Sequence, residues 1–267
     1  MNQNDYFELN KKMWNQRAEI HVDTEFYDMD GFRDGKTSLN KIELDLLGDL
    51  QGKDLLHLQC HFGQDTLSFA RMGANVTGLD LSDKAIETAK NLSKDLNIPA
   101  EFICANVFDA DKATDKKFDI VFTSYGAIGW LPELNTWAKN IHTLLKPGGK
   151  FLIVEFHPVV WMFDDKFTNV EYGYFNSGVF LEEFEGTYAD KENKAIQKSA
   201  CWNHSISDIQ TSLLEQGLKI TGFKEYDYSP YKIFTDPVKT EHGWQINKLK
   251  DKLPMVFSLE VQKENYE

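Results

Sequence analysis

The chain has 267 residues, of which 42% are hydrophobic and 13% aromatic, a composition typical of a folded globular protein rather than a disordered one. Its 42 acidic and 29 basic residues give a formal net charge of −13, which repels nucleic-acid backbones and anionic membrane surfaces. No apolar run approaches the roughly 20 residues that span a bilayer, and no signal peptide is recognisable, so we expect a cytosolic protein.

The amino-terminal zone, residues 1–52, is polar and aromatic. Its pattern predicts a helix near Tyr6 to Ala18, followed by a loop with glycine and aspartate at residues 28–36. We expect this zone to form a helical cap or lid, and residues 53–267 to form the main domain.

From Lys53 onward, short apolar runs alternate with longer amphipathic stretches. The pattern predicts strands at 54–59, 74–80, 100–106, 118–123 and 150–156, and helices at 63–72, after Ser82 and at 132–145. Strands that alternate with helices indicate a parallel sheet covered on both faces by right-handed crossovers. In such a doubly wound, Rossmann-like α/β fold, ligands bind beyond the carboxyl ends of the strands.

The alternation breaks at about residues 158–203. Strand patterns at 179–188 and 195–201 predict an antiparallel hairpin inserted after the fifth strand. A helix is predicted at 209–216, after a capping-box-like start at Ser205 and Asp208. Two closing strands, at 218–226 and 255–261, complete a mostly parallel sheet of seven strands.

The most informative segment runs from Leu55 to Leu81 and reads strand, turn, helix, strand, with Asp80 at its end. An acid at the end of the second strand lies beside the first turn and faces the crevice of the sheet. A carboxylate there can accept hydrogen bonds from both hydroxyls of a ribose. The segment therefore predicts an adenosine-containing ligand.

This segment resembles the first two motifs of the class I S-adenosylmethionine-dependent methyltransferases. The resemblance continues through residues 118–121 and 144–149, and it covers roughly residues 50–157 and 205–261. It implies S-adenosylmethionine as the cofactor, S-adenosylhomocysteine as the product, and in-line transfer of a methyl group to a small-molecule acceptor.

The first turn departs from the usual family pattern of an acid followed by three glycines at alternate positions. His57, Gln59 and His61 replace the acid and two glycines, and only Gly63 remains. Side chains at these positions restrict the backbone and its approach to a ligand. Residues 58–63, Leu-Gln-Cys-His-Phe-Gly, are similar to a branch of the family with a Leu-Gln-Cys-His-x-Gly turn.

The resemblance also implies which residues of this chain contact the cofactor. The methionine portion is assigned to Gln59, Cys60, His61 and Gly63, the ribose to Asp80, the adenine to Leu81, Asn106 and Val107, and the transferable methyl to Ser124 and Tyr125. The amide oxygen of Asn106 can accept a hydrogen bond from the adenine amino group. The alternatives are a surface acid that precedes a helix for Asp80 and a turn-forming asparagine for Asn106.

Methyl transfer needs alignment and exclusion of water, and a general base only for some acceptors. His157 at the end of the fifth strand is the first candidate base, before His204 and Tyr125. The structural alternatives are a backbone contact for His157 and helix packing for His204. An aromatic set could line the acceptor pocket, hold a cationic amine or pack within the cap; it comprises Trp14, Tyr27, Trp161, Phe163, Trp202 and Trp244.

Two rival functions remain open: a cofactor-binding protein without turnover, and an NAD(P)-dependent oxidoreductase. The second is disfavoured because Gln59, His61 and Gln64 occupy the glycine positions of the dinucleotide turn. Residues 124–127, Ser-Tyr-Gly-Ala, differ from the Asn/Asp-Pro-Pro-aromatic turn of amino-methylating DNA enzymes. The three cysteines have no C-x-x-C spacing, so we expect neither a disulfide framework nor a zinc site. We expect no nucleic-acid or membrane partner, and we expect a monomer or a homodimer.

Overall fold

The computed structural model describes residues 1–265. In chain order its elements are α1 (Gln3–His21), α2 (Met29–Arg33), α3 (Lys41–Leu47), β1 (Asp54–Leu58), α4 (Gln64–Arg71), β2 (Asn75–Asp80), α5 (Asp83–Asp95), β3 (Glu101–Cys104), α6 (Ala110–Ala113), β4 (Phe118–Thr123), α7 (Asn135–Leu144), β5 (Leu145–Phe156), β6 (Phe180–Glu185), β7 (Ile196–Cys201), α8 (Ile206–Glu215), β8 (Leu218–Tyr226), β9 (Pro237–Lys239), β10 (Trp244–Ile246) and β11 (Val256–Lys263). No helix within these residues is both long enough and apolar enough to cross a membrane.

The central sheet contains seven strands in the order β3-β2-β1-β4-β5-β11-β8. The first five of these pair in parallel, whereas β11 runs antiparallel to both β5 and β8. The strand order reverses between β1 and β4, which opens a crevice at their carboxyl ends. The predicted doubly wound, mostly parallel α/β fold is confirmed.

Strand β1 illustrates why the sheet is covered on both faces. Leu56 and Leu58 belong to the cluster that contains Trp137 of α7, whereas Leu55 belongs to the opposite cluster, with Phe69 of α4. Successive side chains of a strand point to opposite faces, so a near-continuous apolar run fills both layers. These five side chains are all fully buried.

Several predicted boundaries were wrong; β5, for example, begins at Leu145 rather than at 150, and two other differences have local reasons. Helix α7 begins at Asn135 rather than Pro132: its N-cap residue is Leu134, and the Glu133 carboxylate just before it accepts the otherwise free backbone N–H of Thr136 at 3.1 Å. Strand β3 ends at Cys104, before Asn106, whose side-chain oxygen accepts the N–H of Phe108 at 3.0 Å and starts a 3₁₀ turn.

The predicted inserted hairpin is present as the antiparallel pair β6–β7. Helix α1 joins this hairpin to the core. The Asn10 side chain donates to the carbonyl of Ala200 at 2.8 Å and accepts its N–H at 2.9 Å, while Ser82 donates to Asn15 at 2.6 Å. The amino-terminal helix therefore crosses above the carboxyl edge of the sheet.

Candidate functional site

The turn after β1 keeps a glycine-like backbone without most of the glycines. Gln59, His61 and Gly63 all have positive φ, at 55°, 51° and 79°. A residue with a Cβ pays a steric cost in this left-handed region, and such strain concentrates at functional sites. At Gly63 no side chain fits, because a Cβ would lie 2.7 Å from the Phe102 ring. The turn therefore has the path that alternate glycines ordinarily provide.

Asp80, at the end of β2, is hydrogen-bonded to this turn. One carboxylate oxygen accepts the backbone N–H of His61 and the other accepts that of Ser82, each at 2.8 Å. Burial raises the pKa of Asp80 to about 6, although these N–H donors favour the charged form. Each oxygen retains a second lone pair for a ligand hydroxyl.

Two side chains of the first turn carry buried polar atoms without a partner among residues 1–265. The Gln59 amide nitrogen donates to the carbonyl of Ala127 at 2.7 Å, but its amide oxygen has no donor. Both ring nitrogens of His61 are also unpaired, and burial lowers the pKa of this histidine well below its usual range. Buried polar groups are ordinarily satisfied, so these atoms are available to a bound ligand.

The loop after β4 is held by Glu155 of β5, which is only 2% exposed. Its carboxylate accepts the backbone N–H groups of Ala127 at 2.7 Å, Ile128 at 3.2 Å and Phe156 at 2.7 Å, and also that of Gly126. Burial raises the pKa of Glu155 to about 7. This role of Glu155 was not predicted from the sequence, although an acid within the apolar run 151–156 is a detectable signal.

His57 connects β1 to the same region. One ring nitrogen lies 2.9 Å from the Thr66 hydroxyl of α4 and the other lies 3.2 Å from the Ser124 hydroxyl. Burial lowers the pKa of His57 to about 3, so the ring is neutral and donates through one nitrogen while accepting through the other. This histidine orients Ser124 from within the core.

These groups surround one cavity of about 1340 Å³ at the carboxyl edge of the sheet. Every residue predicted to contact the cofactor lies on its wall, as do Tyr125 and His204; the cofactor set is Gln59, Cys60, His61, Gly63, Asp80, Leu81, Asn106, Val107 and Ser124. The structure therefore brings these residues together, and their individual contacts stay predictions.

The three candidate bases have different surroundings. His157 does not line the cavity; its Nε2 lies 2.9 Å from the Glu225 carboxylate and its Nδ1 accepts the N–H of Val159 at 3.2 Å. The Nε2 of His204 donates to the carbonyl of Leu131 at 2.7 Å. These contacts match the structural alternatives for both histidines. Tyr125, the third candidate, lines the cavity.

Tyr125 belongs to an aromatic and acidic part of the cavity wall that the sequence analysis did not identify. Its hydroxyl donates to the buried Glu43 carboxylate at 3.1 Å, and its ring meets that of Tyr231 edge-on at 5.0 Å. Asp65 lines the same cavity, and burial raises its pKa to about 7. Of the predicted aromatic set, Trp14, Tyr27, Trp161, Phe163 and Trp202 line the cavity, whereas Trp244 lies in β10.

The residues present fit S-adenosylmethionine. The unpaired Gln59 oxygen can accept from an ammonium group, and Asp80 can accept from ribose hydroxyls. The cavity is larger than the roughly 300–1000 Å³ of ordinary ligand sites, which leaves room for an acceptor. Within residues 1–265 there is no group of three or more histidine, cysteine, aspartate or glutamate side chains that could hold a metal ion.

Comparison with known sequences finds methyltransferases among the similar proteins. Residues 56–153 match the model of a methyltransferase domain. An uncharacterized methyltransferase of Synechocystis sp. is 33% identical over 131 residues, 48% of this chain and 59% of that protein. A ubiquinone biosynthesis O-methyltransferase of Coxiella burnetii is 33% identical over 101 residues, 38% of this chain and 42% of that protein. The matched segments thus span about half the length of these relatives.

Solved structures share the fold across most of the chain. The DhpI complex with S-adenosylhomocysteine has a TM-score of 0.60 at 15% identity and covers 99% of this chain and 100% of that one. An S-adenosylmethionine-dependent methyltransferase of Mesorhizobium loti has a TM-score of 0.58 at 20% identity, with 86% and 99% covered. Residues 56–153 therefore match a methyltransferase domain, and the chain shares the fold of solved S-adenosylmethionine-dependent methyltransferases.

Proposed function

We propose that this protein is an S-adenosylmethionine-dependent methyltransferase that acts on a small-molecule acceptor. One observation carries the proposal: the first turn keeps left-handed backbone at three alternate positions and is hydrogen-bonded to Asp80 on the wall of a large cavity. Strain of this kind persists only where the surrounding structure holds it in place, and it is characteristic of ligand sites.

S-adenosylmethionine supplies a methyl group that its sulfonium already activates for displacement. Gln59, Cys60, His61 and Gly63 would hold the amino-acid portion, Asp80 the ribose, and Leu81, Asn106 and Val107 the adenine. Ser124, oriented by His57, and the loop held by Glu155 would position the reacting centre. The protein's contribution is mainly alignment and exclusion of water.

Where the acceptor must lose a proton, we assign that step to Tyr125 and Glu43. The Tyr125 oxygen can take the proton of the acceptor while its own proton passes to the Glu43 carboxylate, 3.1 Å away. Burial raises the pKa of Glu43, which makes this carboxylate a better proton acceptor. His204 lines the cavity but comes after Tyr125, because its Nε2 already donates to the carbonyl of Leu131. His157 comes last because it does not line the cavity.

Residues 1–52 and the insertion at about 158–203 are proposed as a cover over the crevice. The contacts of α1 with β7 and α5 support this division, as does the hydroxyl pair of Tyr27 and Tyr188, 2.5 Å apart. The net charge of −13 supports a small molecule over nucleic acid or membrane as the partner. We also propose that the protein is cytosolic and that it is a monomer or a homodimer.

The test is calorimetric titration with S-adenosylmethionine, S-adenosylhomocysteine and NAD(P)H, followed by methyl transfer assays on a panel of small-molecule hydroxyls, amines and thiols. We expect micromolar binding of the two adenosyl ligands, no binding of NAD(P)H, and turnover of at least one acceptor class. Tight binding without any turnover would instead indicate a binding protein, and binding of NAD(P)H alone would indicate an oxidoreductase.

A further inference from the structure

Arg17 of α1 is a buried cation on the wall of the cavity. Its side chain is 6% exposed, and it lines the same space as the first turn and Asp80. The Nε donates to the side-chain oxygen of Gln197 on β7 at 2.9 Å. Within residues 1–265 the two terminal nitrogens of this guanidinium have no hydrogen-bond acceptor, and they are open to the cavity rather than fully enclosed.

Among the described residues the charge of Arg17 has no counter-ion in direct contact, and the Glu182 carboxylate favours it only from a longer distance. No aspartate or glutamate of residues 1–265 lies within ion-pair distance of it, although the exposed Glu182 lines the same cavity. The guanidinium is instead surrounded by aromatic rings, whose centroids lie 4.9 Å (Trp14), 5.4 Å (Phe184), 5.6 Å (Trp130) and 5.7 Å (Tyr188) away. His21, one turn further along α1, is neutral because burial lowers its pKa to about 3.

Buried charges in folded proteins are almost always paired, because an unpaired ion loses its hydration without compensation. Aromatic rings over a guanidinium offset part of the free energy lost with its hydration. They do not accept hydrogen bonds from its terminal N–H groups, which form a planar fork. This fork matches the two oxygens of a carboxylate. We propose that Arg17 is an anion-binding residue of the crevice and that its partner is the carboxylate of a ligand.

That carboxylate could come from the amino-acid end of the donor or from an acidic acceptor. Arg17 lies between the first turn, since the nearby Trp14 ring meets His61 at 5.4 Å, and the inserted region. We favour the acceptor because three of its neighbours, Gln197, Phe184 and Tyr188, belong to the inserted hairpin region. In that case the substrate class is a small organic acid. This inference rests on the proposed function for the identity of the donor.

The experiment compares the wild type with Arg17→Met, which keeps the apolar stem, and Arg17→Lys, which keeps the charge but not the fork. Arg33→Met is the matched control, because Arg33 is an exposed arginine of α2 and its removal changes the net charge equally. Titrations use S-adenosylhomocysteine and 5′-methylthioadenosine, which lacks the amino-acid portion. Thermal shifts are then measured with phenylacetate and with the neutral phenylacetamide, in the presence and absence of S-adenosylhomocysteine.

If the acceptor supplies the carboxylate, phenylacetate stabilises the wild type and Arg33→Met but not Arg17→Met, and S-adenosylhomocysteine affinity is unchanged. If the donor supplies it, Arg17→Met binds S-adenosylhomocysteine at least tenfold more weakly and 5′-methylthioadenosine equally well. The inference is overturned if the wild type and Arg17→Met bind S-adenosylhomocysteine and 5′-methylthioadenosine equally well and phenylacetate stabilises both proteins to the same extent. A wild type that binds neither adenosyl ligand overturns the proposed function instead, and the phenylacetate comparison then decides the role of Arg17 alone.

Discussion

The carboxylate of Asp80 accepts the backbone N–H of His61 at 2.8 Å, which joins the end of β2 to the left-handed turn after β1. This single contact connects the residue predicted to hold a ribose to the residues predicted to hold the methionine portion. A change at Asp80 therefore acts on the ligand and on the shape of the turn together.

We expect Asp80→Ala to weaken S-adenosylhomocysteine binding by about 1 to 3 kcal/mol, the scale of a charge-assisted hydrogen bond. Titration calorimetry measures the effect, and Asp83→Ala is the matched control because Asp83 is exposed at the start of α5. In the wild type, affinity should fall as the pH drops through about 6, where Asp80 becomes protonated. Unchanged affinity in Asp80→Ala would remove the ribose assignment.

Asp65→Asn should change how stability depends on pH. Burial raises the pKa of Asp65 from 3.8 to about 7, so the folded protein binds this proton more tightly than the unfolded chain does. This group's contribution to stability therefore falls as the pH rises from about 4 to about 7. The variant should exceed the wild type by roughly 1 to 3 kcal/mol in the free energy of unfolding near pH 8 and lose that advantage near pH 4.

Urea unfolding at several pH values tests the role of Asp65, with the exposed Asp115→Asn as the matched control. Asp80 and Glu155 titrate over overlapping ranges, so the informative quantity is the difference between variant and wild type at each pH. A difference that stays constant across the range would contradict the prediction.

Gln59→Gly and Gln59→Ala separate backbone strain from side-chain contact. Both variants lose the hydrogen bond to the Ala127 carbonyl, but only alanine keeps the steric cost of a φ of 55°. The glycine variant should therefore be more stable than the alanine variant by about 1 kcal/mol. Thermal or urea unfolding of the pair measures this, and equal stability would mean that the turn is not strained at Gln59.

Glu155→Gln should loosen the loop after β4. Each carboxylate oxygen accepts two backbone N–H groups, so an amide NH₂ in place of either oxygen faces two donors and leaves them unsatisfied. We expect a loss of about 1 to 3 kcal/mol in the free energy of unfolding and a fall in kcat larger than any change in donor affinity. The exposed Glu87→Gln is the control, and a variant with wild-type stability would exclude this role for Glu155.

The sequence alone determined the alternation of strands and helices from β1 to β5, the seven-stranded sheet and the inserted hairpin, but not the short helices α2, α3 and α6 or the β9–β10 hairpin. These features follow from hydrophobic periodicity and capping residues, which act over a few positions along the chain; Ser82 and Ser205 cap their helices as predicted. The first turn and Asp80 were predictable for the same reason, since the hydrogen bonds that join them lie within a short stretch of chain, from His61 to Ser82.

Only the tertiary structure decided which distant side chains face the cavity. Tyr125 meets Glu43 from 82 positions away, and Arg17 meets Gln197 across 180 positions. His157 follows β5, which ends at the edge of the crevice. Its Nε2 nevertheless lies 2.9 Å from the carboxylate of Glu225 on β8, and the residue does not line the cavity. Such contacts depend on how separate elements pack and on which partner satisfies each polar atom, and neither is encoded in local periodicity.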